Sequence, residues 1–233
     1  MSLKMQILLG CDTCNQLKLI KRICETCCET RNDNSIIAEY CDVFTGIGCI
    51  RSQCHIHIDP EIEPVIDPPR HIPYAIRDKV KQELDRMIEQ GVIVKQTEPT
   101  PWVNSITIVR KAEKVRICLD PTKLNKAILR SPHPVKTIEE IVAEMPDAKI
   151  FSTLDANAGY WQIKLDEASL KLCTFNTPWG RYRFTRLPFG FSMASDTFNE
   201  TMQELFADLE GVKIVVDDIL IHASSQTQHD TRL

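Results

Sequence analysis

Val212-Lys213-Ile214-Val215-Val216-Asp217-Asp218-Ile219-Leu220-Ile221-His222-Ala223 sets two aliphatic runs end to end with only two carboxylates between them. The β-branched and aliphatic residues predict strands over Val212–Val216 and Ile219–Ala223, joined by a two-residue turn at Asp217-Asp218. A plain hairpin would use Asn-Gly there. Adjacent carboxylates repel one another and resist desolvation. A local rule broken without visible compensation marks a candidate functional site, and a divalent cation is one such compensation. A water-solvated acidic turn tip is the other reading. The pair alone does not choose between them.

Upstream, Lys149–Leu154 reads as a buried strand that ends at Asp155. Ser192 or Ser195 can cap a helix running to about Leu209, with Phe198, Met202, Leu205, Phe206 and Leu209 on one face. Cys173–Asn176 and Tyr182–Leu187 flank the turn signal Pro178-Trp179-Gly180 and predict a hairpin. Ser105–Arg110 and Val115–Leu119 predict a second one around a charged turn. Val92-Ile93-Val94 reads as a short strand, broken by Glu98-Pro99-Thr100-Pro101. A helix is expected from Tyr74 to Gln90, with Ile76, Val80, Leu84, Met87 and Ile88 at helical spacing and Gly91 in place as its cap. Residues 1 to about 70 are Cys-rich and irregular, and the run from Asp59-Pro60 to Pro73 reads as an extended linker.

Composition bounds the class without deciding it. The 233 residues are 43% hydrophobic and 26% charged, ordinary for a globular protein able to bury a core. No apolar run reaches the roughly 20 residues needed to cross a bilayer, and the N-terminus lacks a signal-peptide core. The expected setting is therefore intracellular and away from membranes, the cytoplasm first and the nucleus second, with ten reduced cysteines. A net charge of −4 does not advertise nucleic-acid binding. Its distribution says more. Arg110–Lys126 holds six basic residues against Glu113 and Asp120, and Lys171–Ser195 holds four basic residues and no acid. Such stretches suit phosphate contacts, and they equally suit solvated hairpin faces.

Four blocks, taken together, carry a resemblance. Phe151-Ser152-Thr153-Leu154-Asp155-Ala156-Asn157-Ala158-Gly159-Tyr160-Trp161-Gln162-Ile163 resembles the first catalytic motif of gypsy-type LTR-retrotransposon reverse transcriptases. Arg183-Phe184-Thr185-Arg186-Leu187-Pro188-Phe189-Gly190 resembles their Leu-Pro-x-Gly segment, and Val215-Val216-Asp217-Asp218-Ile219-Leu220-Ile221 their x-x-Asp-Asp motif. Val115-Arg116-Ile117-Cys118-Leu119-Asp120-Pro121-Thr122-Lys123-Leu124-Asn125-Lys126 is similar to the fingers segment. The blocks stand in family order over residues 70 to 233.

The resemblance implies an α+β fold with reverse-transcriptase-type fingers and palm, the palm sheet carrying helices on one face, and no thumb or RNase H domain within this chain. It implies transfer of dNTPs to a primer 3′-hydroxyl on an RNA or DNA template. That chemistry uses two Mg²⁺ ions about 4 Å apart, which Mn²⁺ can replace. Asp155 and Asp217 are then the bridging ligands, with Asp218 ligating or supporting them, because hard cations want carboxylate oxygens. The Ala158 and Gly159 amides would cradle the triphosphate. Lys111 and Arg116 would neutralise it from the fingers, with Arg110 as the alternative to Lys111. Tyr160 would lie under the sugar and exclude a 2′-hydroxyl, and Phe189 would line the nucleotide pocket; core packing is the other reading for both. Asp120 is expected to form an ion pair within the fingers rather than meet metal. Val215 departs from the Tyr or Phe common before x-Asp-Asp. The chain stops at His229-Asp230-Thr231-Arg232-Leu233, apparently within a helix, so a truncated palm is expected.

The domain scheme is a retropepsin C-terminal tail over 1–30, a connector over 31–73, fingers over 74–148 and palm over 149–233. Ile7-Leu8-Leu9-Gly10 with Cys14, Leu17 and Leu19-Ile20 carries the first assignment; Asp12-Thr13-Cys14 has Cys where an aspartic protease has Gly. Cys11-x2-Cys14 and Cys24-x2-Cys27 lie nine residues apart. Four thiolates could hold Zn²⁺, but the spacing is shorter than a zinc ribbon's, and plain reduced thiols are the other reading. Cys54, His55 and His57 alternate on a β-like run and so cannot all face one metal. The competing functions are a polymerase fragment, an inert or domesticated remnant that binds nucleic acid or a protein partner, and an N-terminal zinc module fused to a dead palm. Oligomeric state is not legible.

Overall fold

The hairpin at Asp217 is a sheet edge with one extra strand. β9 (Val212–Val215) pairs antiparallel with β10 (Asp218–Ala223), and β10 pairs antiparallel with β5 (Ile150–Asp155), giving the order β5-β10-β9. The computed structural model describes residues 40, 41, 43, 45–111 and 114–233 and divides into two units, Met1–Thr45 and Gly46–Leu233. In the first unit the Val43 N–H donates to the Tyr40 carbonyl. The retropepsin-like residues and both Cys-x2-Cys pairs lie outside the described residues.

Alternation along β10 explains which sheet face is covered. Ile221 and Ala223 are buried, and the C-terminal helix α6 (Gln226–Arg232) packs over β5 and β10. Its buried His229 hydrogen-bonds Ser152 of β5 through Nε2 at 2.9 Å. The opposite face carries Phe151, Thr153 and Asp155, all exposed. The expected buried strand is therefore corrected: only one face of β5 is covered. The helix expected to reach Leu209 is corrected too. α5 (Ala194–Leu205) buries Ala194, Phe198, Asn199 and Met202 but ends at Leu205, and Leu205 and Leu209 are exposed.

The first half builds the other wall. A 3-10 turn over Tyr74–Ile76 leads into α1 (Arg77–Glu89), which buries Val80, Leu84 and Met87. Gly91 ends it at φ +67°, which glycine tolerates without Cβ strain. β2 (Ile93–Lys95) joins β8 (Gly180–Phe184) and β7 (Thr174–Thr177) in the order β2-β8-β7. β3 (Ser105–Lys111) and β4 (Lys114–Asp120) form the predicted hairpin. Short helices α2 (Leu124–Ala127), α3 (Ile138–Ala143) and α4 (Glu167–Leu172) complete the set. Phe175, Phe184 and Tyr182 stack where the sheet meets the core, with Phe175–Phe184 centroids 5.2 Å apart.

The Pro-rich connector is extended, as its composition predicts, yet it is bonded along its length. β1 (Gln53–Cys54) pairs parallel with β6 (Lys164–Leu165), Asp59 N–H donates to the Ala127 carbonyl, and Asp67 N–H to the Val103 carbonyl. Cys54 points into the core, where burial pushes its thiol up to about 11. The His55 and His57 rings meet edge to face at 4.5 Å, and His55 Nδ1 lies 2.5 Å from Asp166 Oδ2. The cysteine and the histidines thus point to different environments, as alternation requires.

Candidate active site

Strand register decides how the carboxylates meet. Asp155 is the direct antiparallel partner of Asp218, so both side chains leave the same sheet face with Cβ atoms about 4.5–5.5 Å apart. Because β9 ends at Val215 and β10 starts at Asp218, the two-residue loop is Val216-Asp217. The expected Asp217-Asp218 turn is shifted by one residue. Val216 then takes φ +59° at the first loop position, a conformation a β-branched residue adopts only under constraint. Replacing Val216 with Gly should raise unfolding stability by about 0.5–1 kcal/mol, the left-handed strain of about 1–2 kcal/mol less the added unfolded-state entropy. A denaturant midpoint that falls instead would mean the strain is not there.

All three carboxylates are exposed. Among the described residues no three Asp, Glu, His or Cys side chains are gathered at metal-binding geometry. The donor set nevertheless fits a hard divalent cation, with oxygen ligands from one paired position and the turn beside it. Burial raises the Tyr160 phenol above its ordinary value, a hydrogen bond from Ser195 opposes this, and the Asp217 charge adds to the rise.

The loop that follows Asp155 lines a cleft of about 1000 Å³ through Asn157 and Ala158. Arg116 and Val115 wall it from β4, Ala158, Trp161 and Phe189 from the second half, and Lys79, Gln82 and Arg86 from α1. Ala158 holds φ +50°, and Gly159 follows it so tightly that a Cβ would lie 2.8 Å from Phe198. The Gly159 N–H is already donated to the Ala156 carbonyl at 3.0 Å, so the expected two-amide cradle reduces to the Ala158 amide. Tyr160 packs on Phe189 with centroids 4.8 Å apart and meets Phe198 edge to face at 5.3 Å, so it is packed against the core behind the cleft residue Phe189. The Arg116 guanidinium lies 5.6 Å from the Phe189 ring centroid, an arrangement that orients the cation as well as stabilising it. Trp161 is buried in the cleft wall with its indole N–H unpartnered among the described residues. Lys111 closes β3, and its side chain lies outside what is described.

A family described as "Reverse transcriptase (RNA-dependent DNA polymerase)" matches residues 105–233. The chain belongs to the reverse transcriptase family. It is 32% identical over 198 residues to an uncharacterized Caenorhabditis elegans protein, K02A2.6, covering 82% of this chain and 16% of that protein. It is 29% identical over 164 residues to the retrovirus-related Pol polyprotein from transposon gypsy of Drosophila melanogaster, covering 66% of this chain and 16% of the polyprotein. The chain thus spans about a sixth of the length of these relatives. A foamy viral protease-reverse transcriptase solved in complex with RNA/DNA hybrid superposes with a TM-score of 0.73 at 21% identity, over 87% of this chain and 28% of that one. That likeness establishes the α+β fingers-and-palm fold.

Asp120 forms an ion pair, but to the connector rather than within the fingers as expected. It pairs with Arg70 of the connector and accepts from Thr122 at 2.5 Å. The Thr122 hydrogen bond holds its carboxyl below the usual range, burial opposes it, and the Arg70 charge and hydrogen bond add to the lowering. Sequence reasoning missed the α1 contribution to the cleft. A signal was present: Lys79, Gln82, Glu83, Arg86 and Gln90 form a polar stripe opposite Val80, Leu84 and Met87. It also missed Gly46 and Ile47, which line the same cleft from the connector.

Proposed function

We propose that this chain is the fingers and palm of a gypsy-type retroelement polymerase, adding dNTPs to a primer 3′-hydroxyl on an RNA or DNA template. The observation that carries this reading is the register that opposes Asp218, with Asp217 one residue away, to Asp155 on the strand whose following loop, Asn157-Ala158, lines a cleft shared with Arg116 and Phe189. Asp155, Asp217 and Asp218 would hold Mg²⁺, which when bound activates the primer hydroxyl and stabilises charge on the leaving phosphates. Arg116 and Lys111 neutralise the triphosphate, Arg116 with a planar fork of donors, and the Ala158 amide donates to it. Tyr160, fixed between Phe189 and Phe198, forms the floor beneath the sugar and leaves no space for a 2′-hydroxyl.

The same reading takes residues 1–30 as the tail of a retropepsin and 31–73 as its connector to fingers (74–148) and palm (149–233). Support comes from the neighbouring fold, itself a protease-reverse transcriptase. No helix among the described residues is long and apolar enough to cross a membrane, and the proposed setting is the cytoplasm. The test is primer extension on an RNA template. Extension should appear with Mg²⁺, vanish on chelation and return with Mg²⁺ or Mn²⁺. Extension indifferent to chelation, or none under any of these conditions, would overturn the reading.

A further inference from the structure

The matched family domain begins at residue 105, yet the cleft lined by the loop after Asp155 has a wall from far upstream. Gly46 and Ile47 line it together with Asn157 and Ala158. A chain of hydrogen bonds ties that wall to the loop after Asp155. The Asn157 amide donates to the Gly46 carbonyl at 3.3 Å, and the Gln162 amide donates to the Asn157 carbonyl at 3.0 Å. The Ile50 N–H donates to the Gln162 carbonyl at 2.8 Å, and Arg186 donates to the Gly48 carbonyl at 3.4 Å. Ile47 and Ile50 are partly buried against the core, so the segment is packed as well as bonded. Gln162 therefore touches both partners: its side chain closes the loop that carries Ala158, and its backbone receives the connector.

We propose that residues Gly46–Ile50 are a structural part of the nucleotide cleft, and that Gln162 is a positioning residue that sets the Asn157–Gly159 turn against them. The inference rests on the polymerase reading, because it assigns the turn to triphosphate contact. Its consequence is that nucleotide affinity depends on chain upstream of the polymerase domain. Whatever displaces residues 46–50, such as cleavage within the connector, weakens dNTP binding without touching a carboxylate.

Gly48 offers a handle within this segment that does not itself line the cleft. A Cβ there would stand 2.7 Å from Gln162 Oε1, and since that atom is the end of a flexible side chain, the amide would swing away from the Asn157 carbonyl rather than unfold the protein. In steady-state extension Gly48→Ala and Gln162→Ala should each raise the dNTP KM about three- to tenfold, the worth of one hydrogen bond, with kcat within about twofold. The double variant should be no worse than either single one, because both remove the same contact. In parallel, hydrogen exchange at residues 46–50 should slow when Mg²⁺ and dNTP are added to the wild-type chain, and not when they are added to Gln162→Ala. Extension with unchanged KM values, with effects that multiply, or with exchange blind to nucleotide overturns this inference and leaves the polymerase reading intact. Absence of extension with exchange still responding supports the connector wall and sinks the polymerase reading. Absence of both overturns the two together.

Discussion

Asp217→Asn should lower single-turnover primer extension on the order of a thousandfold or more, about 4 kcal/mol of lost transition-state stabilisation. The substitution keeps shape and removes one negative charge. Asp217 is exposed in a loop, so the fold should not register the change, and melting should stay within about 1 °C. Asp155→Asn should cost as much. Asp218→Asn should cost less, about ten- to a hundredfold, and this ordering is the informative part. By backbone register alone Asp218 is the residue that faces Asp155, and a reading from strand pairing would make those two the principal ligands. The resemblance to the x-x-Asp-Asp motif, however, makes Asp217 the bridging ligand and leaves Asp218 to ligate or support beside it. If Asp218→Asn proves the more damaging of the pair, the roles of the two adjacent carboxylates are reversed. If none of the three matters, the metal site is elsewhere.

That distinction shows where the sequence stops being legible. The hairpin itself is dictated by two β-branched runs, and α1 by a stripe at helical spacing that ends on Gly91. Both appear nearly where composition and periodicity place them. The position of the turn is a matter of one residue, and periodicity cannot supply it. Asp217-Asp218 looks like the loop because carboxylates suit turns better than valine does. The ladder to β5 instead takes Asp218 into the strand and forces Val216 to positive φ. Tertiary pairing has overruled a local preference, which is what a constrained functional loop looks like. The burial of β5 failed for a related reason. An aliphatic run reports strand character but not how many faces are covered, and here only the α6 side is.

The candidate site divides along the same line. The carboxylates and Arg116 are nameable from sequence only through the motifs that resemble the family's, since their chemistry alone also fits a solvated turn or hairpin face. Residues that act by geometry are not nameable even so. Gly46 and Ile47 reach the cleft only through a fold-back over a hundred residues away in sequence, held by Asn157. The Gly159 amide had to be seen bonded to Ala156 before it could be withdrawn from the phosphate cradle.

Gly190 is the case where the reason for a motif residue emerges only in three dimensions, and it yields the second large effect. Its φ of +112° already disfavours any side chain, and a Cβ would stand 2.5 Å from the Leu119 carbonyl oxygen and 3.1 Å from Pro121 Cδ. The obstacle is backbone at the end of β4, which cannot rotate aside. Asn125 locks the approach, donating to the Gly190 carbonyl and accepting from the Ser192 N–H, both at 3.0 Å. The end of β4 and the start of α2 therefore meet the second half of the chain at a glycine, next to the Phe189 that lies under Arg116. Gly190→Ala should destabilise the protein by about 3 kcal/mol or more, strain and overpacking together, which corresponds to a fall of roughly 6–12 °C in Tm. The control is Gly91→Ala, where φ is +67° but no atom lies within 4 Å of the added Cβ, so only the backbone term of about 1 kcal/mol remains. Thermal melts of the two variants separate close approach from conformation. Equal losses would mean that Gly190 is required only for its φ. A Gly190→Ala protein that melts several degrees lower, with its dNTP KM raised in the folded fraction, would establish this contact as the element that sets Arg116 over the nucleotide cleft.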